Sequence, residues 1–200
     1  CGSAQLFFTD EVDDFDRPIL RTSGLLSRSN KVMYDLVTES VFDTFTGRAI
    51  SGPLFEAGIT LTQGSGVVST GGEWKAAHPA TTIVAQDGGI GRTYSLDPLG
   101  GRDDQGPIFP IGDRDLRLPV QEQVVGVITS DGTPVAFPAA AARDRLETSE
   151  TVELGGVSLE LEGSGVIAFE NGQPVSSHQS FWFAWSQFHP ETLLWLPTGG

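Results

Sequence analysis

The sequence predicts a mostly β fold (α+β): antiparallel strands with a few short helices, arranged as two pseudo-repeated units that share a core. Three observations predict it. Short runs of β-branched and aromatic residues, such as 40–45 and 124–129, recur between clusters of Gly, Pro, Asn and Asp. Hairpin-type turn pairs, Asp131-Gly132 and Asn171-Gly172, separate several of these runs. Two segments also echo one another: Gly2-Ser3 followed by Phe8 returns as Gly163-Ser164 followed by Phe169, and Trp74-x-x-x-His78-Pro79-x-Thr81 returns as Trp185-x-x-x-His189-Pro190-x-Thr192. The two echoes have different offsets, so the first unit carries an insertion of roughly 50 residues.

Taken in order, residues 3–9 read as a strand, 11–17 as an acidic turn closed by Pro18, and 19–26 as the partner strand. Residues 32–34 and 40–45 form a hairpin, because Asp35 and Thr38 between them can bond their own backbone. Gly47 and Gly52-Pro53 turn the chain out of it. Residues 59–62 alternate as a strand does. Ser69 or Thr70 caps a short helix around 73–77, and His78-Pro79 stops it, since proline cannot continue the hydrogen-bond ladder. Residues 81–84 are the next strand.

Residues 87–119 are rich in Gly and Pro and form a long irregular connection, docked through Ile108-Phe109 and 116–118. Beyond it come strands at 124–129 and 134–137, and a helix at 138–145 with proline at its start. Strands follow at 151–154, 157–161 and 165–169. Residues 181–185 are apolar throughout, as in a strand buried on both faces. A helical turn at 186–189 and a strand at 192–195 close the chain. One domain thus spans 1–200, with a first unit at 1–86 lacking its opening strands, the connection at 87–119 and a second unit at 120–200.

Composition narrows the function classes. Two hundred residues can bury roughly 70% of the surface exposed by the unfolded chain. A single cysteine excludes an internal disulfide framework. Against 26 acids stand 12 bases, for a net charge of −14, and only Lys31 and Lys75 are lysines. No basic stripe is present for nucleic acid, and the charge opposes an anionic membrane surface. Acid excess with scarce lysine resembles the composition of halophilic proteins, which stay soluble in concentrated salt. No P-loop, dinucleotide fingerprint or nucleophile elbow occurs, and Ser23, His78 and Asp35 make a triad on paper only.

The densest run of small polar groups lies between Ser23 and Pro53. Two readings of Ser23, Ser29, Tyr34, Asp35, Thr38 and Ser40 stand side by side: turn chemistry, or a pocket wall facing a ligand. The soft or borderline donors are Cys1, His78 and His189, which suit copper or zinc, although none has close metal-ligand spacing. Both His-Pro pairs also read simply as helix stops, and His178 reads as part of an exposed turn. Asp13, Asp14 and Asp16 form an acidic turn without the pattern of a calcium loop.

Cys1-Gly2-Ser3-Ala4, Ser23-Gly24-Leu25-Leu26, Ser29, Val32-Met33-Tyr34-Asp35, Thr38, Ser40, Gly47, Ala49 and Gly52-Pro53 together resemble a prokaryotic family of unknown function, DUF3179. The resemblance continues through Glu73-Trp74-Lys75, His78-Pro79, Val125-Gly126-Val127 and Phe181-Trp182-Phe183-Ala184-Trp185 to His189-Pro190-Glu191-Thr192. The chain departs from the pattern at Ser27-Arg28, where the family has Tyr-Asn, at Phe42 for Trp and at Leu99 for Tyr. Cys1 corresponds to the second cysteine of a Cys-Pro-x-Cys motif, so a first cysteine and a preceding segment are expected upstream.

The resemblance implies export and a membrane tether outside this chain, hence an extracytoplasmic or cell-envelope location. The leading expectation is a non-enzymatic domain that binds a small ligand or a metal near the 23–40 hairpin. The alternatives are a thiol-dependent metal or redox protein centred on Cys1, and a structural domain of an envelope protein.

Overall fold

The computed structural model describes residues 6–9, 12, 15–96, 106–107 and 109–197. The chain enters through β1 (Leu6–Phe8) and then builds a four-stranded antiparallel sheet in sequence order: β2 (Leu20–Ser27), β3 (Asn30–Asp35), β4 (Val41–Asp43) and β5 (Ala49–Ser51). A short helix, α1 (Pro53–Glu56), leads to β6 (Thr62–Gly64), which pairs antiparallel with β1, Leu6 opposite Gly64. Helix α2 (Gly71–Ala77) follows.

The second half begins with β7 (Gln123–Ile128) and β8 (Pro134–Pro138), joined by a turn in which Thr129 Oγ1 and Asp131 satisfy the Thr133 N–H. Then come α3 (Ala139–Glu147), β9 (Val152–Leu154), β10 (Val157–Glu162), β11 (Gly165–Glu170) and β12 (Gln173–Pro174). Strand β13 (Ser177–Phe181) runs directly into α4 (Trp182–Phe188), and β14 (Leu193–Leu194) is the last element among the described residues. Two sheets result, ordered β12-β11-β10-β9 and β13-β7-β8-β14; β14 joins β8 in parallel and the other pairs are antiparallel.

Three apolar clusters hold these layers. Val125, Val127, Phe137, Val157 and Leu159 pack between α3 and the two later sheets. Phe45, Val124, Trp182 and Trp185 join the tip of the first sheet to α4 and β7. Phe42, Ala49, Leu54 and Leu61 close the first sheet onto α1. Phe45 thus ties the two halves together.

The mostly antiparallel β fold with short helices is the one the sequence predicts. Several elements differ. Residues 181–185 are not a strand: from Trp182 they are α4, whose Trp182, Trp185 and Ser186 fall on one buried face. Helical spacing at i, i+3 and i+4 was hidden in the aromatic run. Residues 81–84 are unpaired, with Ile83 74% and Val84 80% exposed, because no strand lies alongside them among the described residues. In the 59–62 segment only Thr62 enters a strand, and Thr60 makes an isolated bridge to Arg48.

His178 is not in an exposed turn. It lies within β13, is 3% exposed, and packs on Phe45 with the ring centroids 3.9 Å apart. Of the expected docking residues, Leu118 packs on the Phe45–Trp185 cluster, Phe109 and Leu116 are exposed, and Ile108 lies outside the described residues.

Candidate functional site

The hydroxyl-rich hairpin folds into a closed hydrogen-bond network. Asp35 is fully buried at the end of β3. Its Oδ1 accepts the Ile19 N–H at 2.7 Å, and its Oδ2 accepts the Thr38 N–H and hydroxyl, both at 2.8 Å. Burial pushes the Asp35 carboxyl up, but these bonds outweigh it and hold the group below its ordinary value. The Thr38 and Ser40 hydroxyls lie 2.8 Å apart, and Ser40 Oγ accepts the Leu54 N–H at 3.0 Å, joining the hairpin to α1.

Gly52, at φ 85°, lets the chain pass so close that an added Cβ would lie 2.8 Å from Ser40 Cα. Ser23 bridges the irregular register of β2, donating to the Val32 carbonyl at 2.6 Å and accepting the Leu25 N–H at 3.0 Å. Tyr34 sits half-buried in β3, opposite Arg21 and Val41. The polar groups of Ser23, Asp35, Thr38 and Ser40 are therefore bonded within the protein.

The remaining member of the set, Ser29, stands elsewhere. Arg28 and Ser29 are the two-residue loop between Ser27 and Asn30, and both have left-handed backbones, φ 45° and 64°. That geometry makes the tight turn whose twist suits a hairpin, at a cost of roughly 1–2 kcal/mol for a residue other than Gly, Asn or Asp. The strained turn presents Arg28 to α4: its Nη1 donates to the Gln187 carbonyl at 3.3 Å, and its guanidinium lies over the Phe188 ring at 5.2 Å.

Between this turn and the C-terminal end of α4 opens a cleft of about 980 Å³, at the upper end of the roughly 300–1,000 Å³ typical of small-molecule sites. Arg28, Ser29, Arg114, Asp113, Ser186 and Gln187 are among its walls. Gln187 Nε2 donates to the Asp113 carbonyl at 3.1 Å, and Ser29 Oγ accepts the Gly112 N–H at 3.4 Å, which holds the 112–116 segment over the cleft.

Two groups in the wall are unsatisfied: Ser186 Oγ and Gln187 Oε1 are buried without a hydrogen-bond partner. No hydrogen bond or ion pair joins Arg114 to another described residue. Asp115 is different, since Arg117 grips it with Nε and Nη2 and holds its carboxyl below the ordinary value.

Two imidazoles, His178 and His189, pack against Trp185 of α4. Burial lowers His178 to about 3, helped by His189. Burial lowers His189 to about 4, helped by the Arg28 charge. Both rings are therefore neutral at physiological pH. They flank Phe45 and Trp185, and His178 Nε2 is buried without a partner.

The other donors are apart from this pair. His78 bonds Glu162 and packs on Trp74 with the ring centroids 4.2 Å apart. Cys1 lies outside the described residues, as do Asp13 and Asp14. No group of three or more His, Cys, Asp or Glu side chains placed to hold a metal occurs among the described residues. The paper triad also does not assemble, since Ser23, Asp35 and His78 bond Val32, Ile19 with Thr38, and Glu162 respectively.

Sequence reading missed Arg28, Arg114, Ser186 and Gln187. The one local signal was the positively charged Arg28 where the family pattern has Asn, a residue suited to a left-handed turn. The model of a family described as "Protein of unknown function (DUF3179)" matches residues 1–160. No curated protein and no solved structure matches the chain.

Proposed function

We propose that this chain, which belongs to the DUF3179 family, is a non-enzymatic extracytoplasmic binding domain that takes a small polar ligand in the cleft between the β2–β3 turn and α4. The observation behind this reading is the pair of unsatisfied groups, Ser186 Oγ and Gln187 Oε1, in a wall that also holds Arg28 and Arg114. A buried polar group without a partner costs about 1–3 kcal/mol, and a ligand that bonds it recovers that cost. The guanidinium groups call for an anionic group, and Gln187 Oε1 calls for an N–H or O–H donor. A small carboxylic acid that also bears an amine or hydroxyl, such as an amino acid or a hydroxy acid, meets both requirements. The strained Arg28-Ser29 turn fits this role, because local strain is kept where it positions a functional group.

Thermal unfolding followed against a panel of free amino acids and hydroxy acids, in concentrated salt, tests the reading. At least one member of the panel should raise the melting temperature of the wild type and leave Gln187→Leu unmoved. A wild type that responds to none of them, or a variant that responds equally, would contradict it.

A second reading, copper or zinc held by imidazole, is favoured by the unpartnered Nε2 of His178 with His189 beside the same two rings. Elemental analysis of chelator-free protein, beside Cys1→Ser and His178→Phe variants, separates it from the first. Stoichiometric metal lost in either variant supports it; metal-free wild type removes it.

A further inference from the structure

The two Trp-x-x-x-His-Pro-x-Thr segments fold into the same corner. Helices α2 and α4 are each capped by their histidine, at φ/ψ of −125°/74° and −130°/68°. The cap N–H donates to the tryptophan carbonyl in both, at 2.7 and 2.9 Å. The indole donates to the threonine hydroxyl at 3.1 Å in one and 3.0 Å in the other. The rings of Trp74 and His78 lie 4.2 Å apart, and those of Trp185 and His189 lie 4.4 Å apart.

The elements before the corners also correspond as antiparallel pairs, in registers one residue apart. Phe8 of β1 stands opposite Thr62 of β6, and Phe169 of β11 stands opposite Pro174 of β12. Where the two units meet, Ser65 Oγ donates to the Val175 carbonyl and Ser176 Oγ donates to the Gln63 carbonyl.

What covers the corners differs. Trp185 is 1% exposed and lies flat on β7, where a Cβ on Gly126 would come within 2.2 Å of the indole. Just after that corner, β14 adds in parallel to the edge of β8. Helix α2 has no buried residue at all, and residues 82–84, which match β14 and the Trp195 after it, include Ile83 and Val84, both largely exposed. A groove of about 270 Å³ lies between Trp74, Thr81, Ile83 and Val67. A seven-residue helix has too little internal stability to persist without tertiary packing.

We propose that the α2 corner is the docking face for a two-stranded antiparallel β-ribbon that precedes β1 in the same polypeptide, and that the ribbon sits on Trp74 as β7 and β8 sit on Trp185. The order of elements assigns the source: β7 and β8 precede β11, and β11 is the counterpart of β1. The geometry assigns the chemistry. The first strand of the ribbon carries a glycine facing the Trp74 ring between β-branched neighbours, as Gly126 stands between Val125 and Val127. The second strand offers a free edge to residues 82–84. This inference is independent of the proposed ligand site.

The test begins with the codons upstream of Cys1 and continues with hydrogen exchange on the chain that includes them. A strand–turn–strand segment with glycine at that position is expected. In the longer chain the Val84 amide should become as protected as that of its counterpart Trp195, which donates to the Ala136 carbonyl, and Trp74→Ala should abolish that protection. Upstream codons with no such ribbon, or a Val84 amide that exchanges as fast in the longer chain as in this one, would overturn the proposal. A dimer that buries Trp74 in chains of either length would also overturn it, by assigning the face to a second copy.

Discussion

Two polar regions flank β3, and they differ in one respect. The network around Asp35 is saturated: the carboxylate, the Thr38 and Ser40 hydroxyls and the amides of Ile19, Thr38 and Leu54 are all bonded to one another. The cleft beside Arg28 is unsaturated, with Ser186 Oγ and Gln187 Oε1 unpaired in its wall. The first region is richer in serine and threonine, yet it is the second that has bonding capacity left for a ligand. A dense set of hydroxyls marks a site only when the fold leaves some of them unused.

If this contrast is right, substitutions in the two regions have effects of opposite sign. The largest effect is expected for Asp35→Ala, which empties a fully buried site and strands the part-buried Ile19 and Thr38 amides. We expect a loss of about 4 kcal/mol in denaturant unfolding, with ligand binding per folded molecule unchanged. Gly52→Ala should follow, costing about 2 kcal/mol, because its Cβ would press on Ser40 and its backbone is left-handed. A cost under half of that would show that α1 can move away and that the network is looser than described.

Acid separates the regions next. Asp35 is held below its ordinary value, so its contribution is present above the unfolded carboxylate range and is lost as pH falls through its folded value. His178 and His189 are lowered from 6.5 to about 3 and about 4. The unfolded chain therefore takes up protons first, and stability falls as pH drops below 6.5, by up to about 1.4 kcal/mol per pH unit for each imidazole. Denaturant midpoints for His178→Phe should fall less between neutral pH and pH 5 than those of the wild type. An equal decline would place the acid sensitivity elsewhere.

The smallest effects have the reverse sign. Ser186→Ala removes an unsatisfied hydroxyl and should raise stability by about 0.5–1 kcal/mol. A loss instead would mean that the hydroxyl has a bonding partner, and the contrast would fail on the cleft side.

The sequence makes much of the first region legible. Turn residues at Asp35, Thr38 and Gly52-Pro53 bond locally, over a few positions, and local bonds leave local patterns. The His-Pro helix stops and the Thr70 cap are legible for the same reason. Helix α4 was not, because Phe181 to Trp185 is apolar at every position and shows no period. The cleft was least legible. Arg28 reaches Gln187 across 159 positions, and a missing hydrogen bond is a property of packing that no run of residues records.

The measurement that tests the central claim most directly is a calorimetric titration of Arg28→Asn beside the wild type, using the amino acid or hydroxy acid that most raises the wild-type melting temperature. Asparagine suits the left-handed turn but lacks the guanidinium. The account predicts a variant at least as stable as the wild type, with affinity reduced at least tenfold, the equivalent of about 1.4 kcal/mol. A variant that binds as tightly as the wild type would contradict it.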